Sequence, residues 1–399
     1  MMQTAKSIWG NGRHGRRAAV IVQVAVMTTV IIGFGALAID LGTLYMARSE
    51  LQRAADAAAL AGASCYFTDA QLIDDDDEMT GVALQRAQEI SFVNTTLGAG
   101  SYLELDDVIV GTYDFVNGGD LDTSGMDPFN AVKVTVRRTA GSFNGPVGYG
   151  FARIFGREVG DVIAEATAVT DDRFAGYSVP EENGALLPFT IRADLYEDML
   201  LNGPDEWMYE DGQVIEYGDN VREIKIFPIM QKDNSRGQGR GGGEGEDEGG
   251  GNFGLLNIGA NNQGVPFVEH QILNGVSADE MEDEIGTPVV EFYNEFGEAV
   301  VHEITGNPGV KAGIEDAVEA RIGDVVGFFI HDDVWDNGAN AVYRIVDIRF
   351  GRLMYVQLNG CPDDKRIVLQ PVAYTGPDVI IREYADSTDG QIARMWLAE

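Results

Sequence analysis

The sequence predicts an α+β protein in which one long transmembrane and juxtamembrane helix precedes a β-rich, antiparallel ectodomain. Three observations predict it. A charge-free apolar run from Ala18 to Ile39 follows the basic pair Arg16 and Arg17. Small and apolar residues then continue at helical spacing as far as Gly62. Beyond that point short alternating runs recur between polar turns, without the strand–helix–strand rhythm of a parallel nucleotide-binding sheet.

The apolar run is 22 residues long. As a helix it reaches roughly 33 Å, enough to cross a hydrocarbon core of about 30 Å. Residues 1–17 carry Lys6, Arg13, Arg16 and Arg17 and no acid. The positive-inside rule therefore places them in the cytoplasm and everything past Asp40 outside. Ala36-Leu37-Ala38 also fits a signal-peptidase pattern, so a secreted form cut after Ala38 is the competing expectation. The run is longer than the ~7 to 15 apolar residues of an ordinary signal peptide, which favours a retained anchor.

Charge sharpens the picture. The 399 residues hold 28 Lys plus Arg against 64 Asp plus Glu, a net −36. Nucleic acid is excluded as a partner, because phosphate binding needs a Lys/Arg footprint. The lipid bilayer is the partner implied by Ala18 to Ile39. Past it, Leu37, Leu41, Leu44, Arg48, Leu51, Ala55 and Ala58 follow at steps of four and three, one stripe along a continuous helix with Gly62 as its cap. Ala25, Thr29 and Gly33 recur every fourth residue and leave a shallow face where a second helix could approach, including that of another copy. The chain thus divides into a cytoplasmic tail (1–17), a span (18–39), its helical continuation (40–63), a small helix-on-sheet domain (64–176) and a β-rich domain (177–399).

One stretch carries a family resemblance. A basic pair, a span ending in Ala36-Leu37-Ala38-Ile39-Asp40-Leu41-Gly42, then Tyr45, Leu51-Gln52 and the alanine run Ala54 to Ala63 around Asp56 resemble the N-terminal segment of the TadG-like proteins associated with the Flp (tight-adherence) pilus system. Asn130 to Val136, Ala164 to Val169 and Gly251-Asn252-Phe253-Gly254 extend the likeness with less specificity. The resemblance implies a bitopic inner-membrane protein without enzymatic activity. It would serve pilus assembly or surface adhesion and meet other assembly or envelope proteins through helix and ectodomain. Its motif residues here are Asp40, Gly42, Tyr45, Gln52 and Asp56. Some members carry a von Willebrand A domain, whose D-x-S-x-S metal motif does not occur in this sequence. Prepilin-like processing needs Glu five residues after the cleaved Gly, where Gly15 is followed by Val20 and Gly12 by Arg17. An accessory role fits better than that of a filament subunit.

In the ectodomain the spacing predicts a helix over Val82 to Val93, strands over Val108 to Val116, Ala131 to Arg138 and Val162 to Val169, and a boundary near Phe174 to Asn183. Residues 235–251 hold nine glycines and no apolar side chain, so they read as a loop inside the second domain. Asn307-Pro308 reads as a helix start. Strands over Val325 to Ile330, Ala341 to Phe350, Leu353 to Leu358 and Arg366 to Thr375 then predict an antiparallel meander or small barrel.

Chemistry is sparse. Asp120-Leu121-Asp122-Thr123-Ser124-Gly125 opens like a calcium loop, with Asp127 nearby, but Ala131 stands where a bidentate Glu belongs. Asp120, Asp122 and Asp127 are therefore weak calcium candidates, and no cofactor is implied. His331, Asp332, Asp333 and Asp336, with His302, would converge if the chain were a secreted hydrolase. Gly237 to Gly242 fits a dinucleotide-binding pattern by letter only, since an acidic glycine run follows it. Cys65 and Cys361 allow one bridge or two thiols.

Overall fold

The computed structural model describes residues 13–67, 76–115, 117–124, 129–227, 253–259, 264–307, 312–335, 341–360, 364–388 and 391–398. Lys6, the glycine-rich loop, Asp127, Asp336 and Cys361 lie outside the described residues. The chain opens on a single helix, α1 (Arg13–Ala63), of 51 residues. At 1.5 Å per residue it is about 75 Å long. Its first half stands clear of the rest of the protein, with Ile21, Ile31 and Phe34 fully in the open. Among the described residues it is the one helix long and apolar enough to cross a membrane. The hydroxyls of Thr28 and Thr29 donate back to the carbonyls of Val24 and Ala25, both at 2.9 Å. Such internal bonds satisfy these two hydroxyls within the helix, so that lipid need not solvate them.

The second half of α1 is a core element. Ala47, Leu51, Ala54, Ala55, Ala58, Ala59 and Ala63 are fully buried. The stripe read from the sequence holds for Leu51, Ala55 and Ala58 but not for Leu37, Leu41 and Arg48, which are exposed. The reason is coverage, because the apolar core packs on α1 only from about Leu44 onward and on one side of it, leaving Leu37 and Leu41 before the core and Arg48 turned away from it. Helix α2 (Asp76–Val93) lies beside it, contributing Ala83 and Ala87. The opposing sheet is built from β1 (Val108–Gly111), β2 (Ala131–Arg138) and β3 (Val162–Asp171), all antiparallel. On β2, Val132, Val134 and Val136 alternate inward, and on β3 so do Val162, Ala164, Ala166 and Ala168. Alanine meets alanine here, so helix and sheet approach closely. A Cβ added at Gly62 would sit 3.0 Å from Val132 Cγ1. The strand expected to run to Val116 stops at Gly111, after which Thr112 makes a single bridge to Asp122. The sheet is extended from far away. The C-terminal strand Ile392–Ala398 pairs antiparallel with β3, from Arg394 opposite Asp171 to Ala398 opposite Thr167.

Between these segments the chain builds a ring of strands. It comprises β4 (Leu186–Arg192), β6 (Phe253–Leu256), β7 (His302–Asn307), β8 (Val325–Trp335) and β9 (Val342–Gln357). The order is β4-β6-β7-β9-β8, and β8 returns to β4. That closing pair is parallel, Gly327 to His331 against Leu186 to Arg192, whereas the other pairs in the ring are antiparallel. The sequence reading contained no parallel partner for this meander. β10 (Arg366–Pro371) and the edge strand β5 (Ile224–Ile226) extend the sheet from the second half of β9.

Two further local expectations change. Asn307 ends β7 rather than capping a helix, and the nearby helix is the short Glu315–Glu319. The turn expected between Phe350 and Leu353 is absent, because β9 runs on through Gly351. A Cβ there would lie 3.1 Å from the Gln370 carbonyl oxygen, so glycine marks a close strand approach.

The ring is filled by side chains. The Tyr343 ring on β9 lies over two glycines from other strands, Gly254 and Gly306. It meets His331 edge-on, with centroids 4.9 Å apart. His331 and Thr190 are both fully buried and share a hydrogen bond of 2.8 Å. A Cβ on Gly254 would come within 2.5 Å of Tyr343 Cζ. Gly254→Ala is therefore expected to lower stability by about 1–3 kcal/mol through overpacking, measured by urea unfolding. Combining it with Tyr343→Ala should cost less than the sum of the two single changes, since the second removes the clash.

Glu223, just before β5, is buried with Oε1 accepting from the backbone N–H of Glu206 and of Trp207, both at 2.7 Å. Burial outweighs these two bonds and pushes its carboxyl up to about 7, with the charges of Asp205 and Glu206 adding to the rise. A raised acid favours the folded state in its protonated form. Its contribution is fully present below the ordinary Glu value of about 4.3 and is lost as pH rises through about 7. Melting temperature should fall across that window, and Glu223→Gln should flatten the fall.

Candidate functional site

Three polar side chains on α1 reach backbone groups of three separate segments. Asp40, the first charged residue after the apolar run, is only 4% exposed. Its Oδ1 accepts from the N–H of Gly150 at 2.7 Å, its Oδ2 from that of Ala152 at 2.6 Å, and Phe151 N–H lies 3.1 Å from both oxygens. Burial opposes ionisation of this carboxyl. The three N–H groups and the nearby Arg153 charge outweigh it and hold the group below the usual carboxylate range. Glu50 Oε2 accepts from Leu97 N–H at 2.7 Å, fixing a tight hairpin whose Leu97 has φ of 51°. Gln52 Nε2 donates to the Glu165 carbonyl of β3 at 2.9 Å and to Asp56 Oδ1 at 2.8 Å. Glu165 lies two residues beyond the pairing of Thr167 with Ala398, so Gln52 serves a carbonyl past the C-terminal strand's last described partner.

The segment gripped by Asp40 is the connection between β2 and β3. It folds back along α1, joins Val147-Gly148 to Val159-Gly160 in a two-residue ladder, and turns through a short 3-10 helix, Ala152–Phe155. Gly156 closes that turn with φ of 80°, a left-handed conformation suited to glycine. Asp40 thus does for this turn what an N-cap side chain does for a helix, although it comes from 110 residues away.

The structure separates the family-motif residues by role. Asp40, Gln52 and Asp56 make the contacts above, while Gly42 and Tyr45 lie on the uncovered side of α1. Glu50 was not singled out from the sequence. Its signal was there, as an acid in register with the inward Leu51 face, but nothing local indicated a partner at Leu97.

The other candidates do not converge. The Asp120 side chain is fully exposed, with Lys133 Nζ at 3.9 Å, and Asp122 Oδ1 accepts from the backbone and hydroxyl of Ser124. Among the described residues no group of three or more His, Cys, Asp or Glu is arranged to hold a metal ion. His331 faces Thr190 and Tyr343 inside the ring, whereas Asp332 pairs with Arg344 and Asp333 accepts from the N–H of Val334. His302 Nε2 bonds the Glu291 carbonyl at 2.8 Å and His270 contacts Asn274. The constellation expected of a hydrolase is therefore not assembled from His302, His331, Asp332 and Asp333. Cys65 is buried under α1, where burial raises its thiol pKa.

Residues 19–64 match the model of the Tad family, described as Flp pilus-assembly TadE/G-like. The matched stretch is α1 from its first apolar turn to its end. No curated protein and no solved structure matches the chain. The match and the single N-terminal apolar helix fit a membrane-anchored, Tad pilus-related protein, and the family suits a non-enzymatic role with membrane and envelope-protein partners.

Asp40→Asn is expected to loosen the 150–156 turn, because the amide offers one acceptor oxygen where the carboxylate offers two. Trypsin cleavage after Arg153 in the detergent-solubilised chain should quicken by about tenfold, local opening being what exposes the bond. The native contact should persist above the ordinary Asp value of about 3.9 and weaken as pH falls below it toward the depressed folded value. Unchanged cleavage at neutral pH would show that Asp40 does not hold the turn.

Proposed function

We infer that the chain is a single-pass accessory protein of Flp-type pilus assembly, or of the surface attachment that such pili serve. Ala18 to Ile39 hold it in the bacterial inner membrane. The basic tail stays in the cytoplasm and the acidic, strand-rich part lies outside. The observation that carries the reading is the coincidence of the family match with α1, whose first half is bare and apolar and whose second half is a core element of the globular part. A helix shared in this way transmits position rigidly, because its inner half cannot rotate without breaking the alanine contacts and the Asp40, Glu50 and Gln52 bonds.

Such a protein works through contacts rather than through chemistry of its own, and the reading calls for no cofactor. The exposed side of α1, with Gly42 and Tyr45, is where a partner helix of the assembly, or that of a second copy, has access. The net charge beyond residue 17 keeps the outer part soluble.

Membrane association is tested by alkaline extraction and orientation by protease added to intact spheroplasts. The chain should stay in the pellet and lose its globular part to protease, leaving a protected N-terminal fragment. A soluble product beginning just after Ala38 would overturn the anchored reading. Deleting the gene should abolish or reduce piliation and surface attachment, and a strain with normal pili and adhesion would overturn the pilus role.

A further inference from the structure

The turn held by Asp40 carries an apolar surface that the rest of the protein leaves uncovered. Phe155 is 81% exposed, Ile154 75%, Val159 53% and Phe151 40%. These residues stand beside the end of the apolar span. Phe151 N–H is 3.1 Å from the carboxylate of Asp40, the residue that follows Ile39. A 3-10 turn rises about 2 Å per residue, so Ile154 and Phe155 lie within about 8 Å of that level. The interfacial layer on each side of a bilayer is itself about 5–8 Å deep.

The charge of the segment differs from that of its surroundings. Phe151 to Val159 contain Arg153 and Arg157 against the single acid Glu158, a net +1 in a chain of net −36. On α1, Tyr45 is 71% exposed one and a half turns past Asp40, at the height where interfacial aromatic residues sit. Apolar side chains, arginines and an aromatic ring at one level are the composition of a bilayer boundary contact.

We propose that Phe151–Arg157 is a second membrane contact of this chain. Phe151, Ile154 and Phe155 enter the acyl boundary beside the span, and Arg153 and Arg157 meet lipid phosphates. The inference rests on the anchored reading of α1. It gives Asp40 a defined task, because its carboxylate ties the interfacial turn to the helix as it leaves the bilayer. The acidic globular part is then held at a fixed height and tilt instead of swinging on a single helix. The lipid is favoured over a protein partner by the continuity of this surface with the exposed span.

The test uses the full chain reconstituted in phosphatidylcholine and phosphatidylglycerol vesicles with brominated acyl chains, which quench tryptophan on contact. Phe155→Trp is compared with Val30→Trp inside the span and with Tyr217→Trp on the globular surface, after subtracting the native tryptophan signal. Phe155→Trp should be quenched at least about twofold more than Tyr217→Trp, as expected of a side chain at the acyl boundary. Adding Asp40→Asn should reduce that quenching. Quenching equal to Tyr217→Trp, with free access to aqueous iodide, overturns the proposal, and so does protection from both quenchers, which assigns the surface to a protein partner. If Val30→Trp is also unquenched, the anchored reading fails together with the inference. Quenching of Val30→Trp but not of Phe155→Trp sinks the inference alone.

Discussion

The close approach of the α1 alanine face to β2 and β3 is the contact on which the rest of the molecule depends. Alanine buries little area per residue, so each contact contributes less than a leucine would. What it permits is proximity, since helix and sheet meet almost backbone to backbone and little freedom of rotation or sliding is left. A helix of 51 residues has no other reason to keep one orientation relative to a small sheet. With larger side chains on this face, Gln52 would stand off from the Glu165 carbonyl and Asp40 from the turn at Gly150. The polar bonds therefore depend on the apolar one, and the order of causes runs from small side chains to near contact to hydrogen bonds.

The same helix must satisfy two solvents. In its bare half the threonine hydroxyls bond back to their own turn, and in its buried half the polar side chains bond the backbone of other segments. Asp40 stands at the change-over. A carboxylate next to a lipid core is costly unless its charge is met, and three backbone N–H groups meet it, with the Arg153 charge nearby adding to them. The arrangement places charge at the boundary while presenting apolar groups beside it. This explains why an aspartate, and not simply a polar residue, suits the position.

The parts legible in the sequence were those set by local pattern. Ala131 to Arg138 reads as a strand and is one to the residue, because one face is buried and the other wet, so that alternation carries the information. The long helix was legible for the same reason. Asp40 and Gln52 stood out within a family-like motif, but their partners lie more than a hundred residues away, where no spacing rule reaches. Ring closure was equally hidden. It depends on a parallel pairing between Leu186 to Arg192 and Gly327 to His331 that neither strand announces alone. Gly351 misled for a physical reason. Glycine signals a turn by conformational freedom and a close approach by lack of a side chain, and only the neighbouring strand decides which.

The return of the C-terminal strand to β3 ties these levels together. Ile392–Ala398 leaves the ring-bearing region and becomes part of the sheet that carries α1. Tyr196, in the helix after β4, holds Gln391 at 2.8 Å just before this strand begins. Arg173 pairs with the buried Asp171 at the end of β3 and lies over Phe115, which in turn packs on Trp396 of the returning strand. A load applied to the ring therefore reaches the sheet through two covalent paths, β3 leaving and the C-terminal strand returning, and not through one flexible linker. From the sheet it passes to α1 through the alanine face.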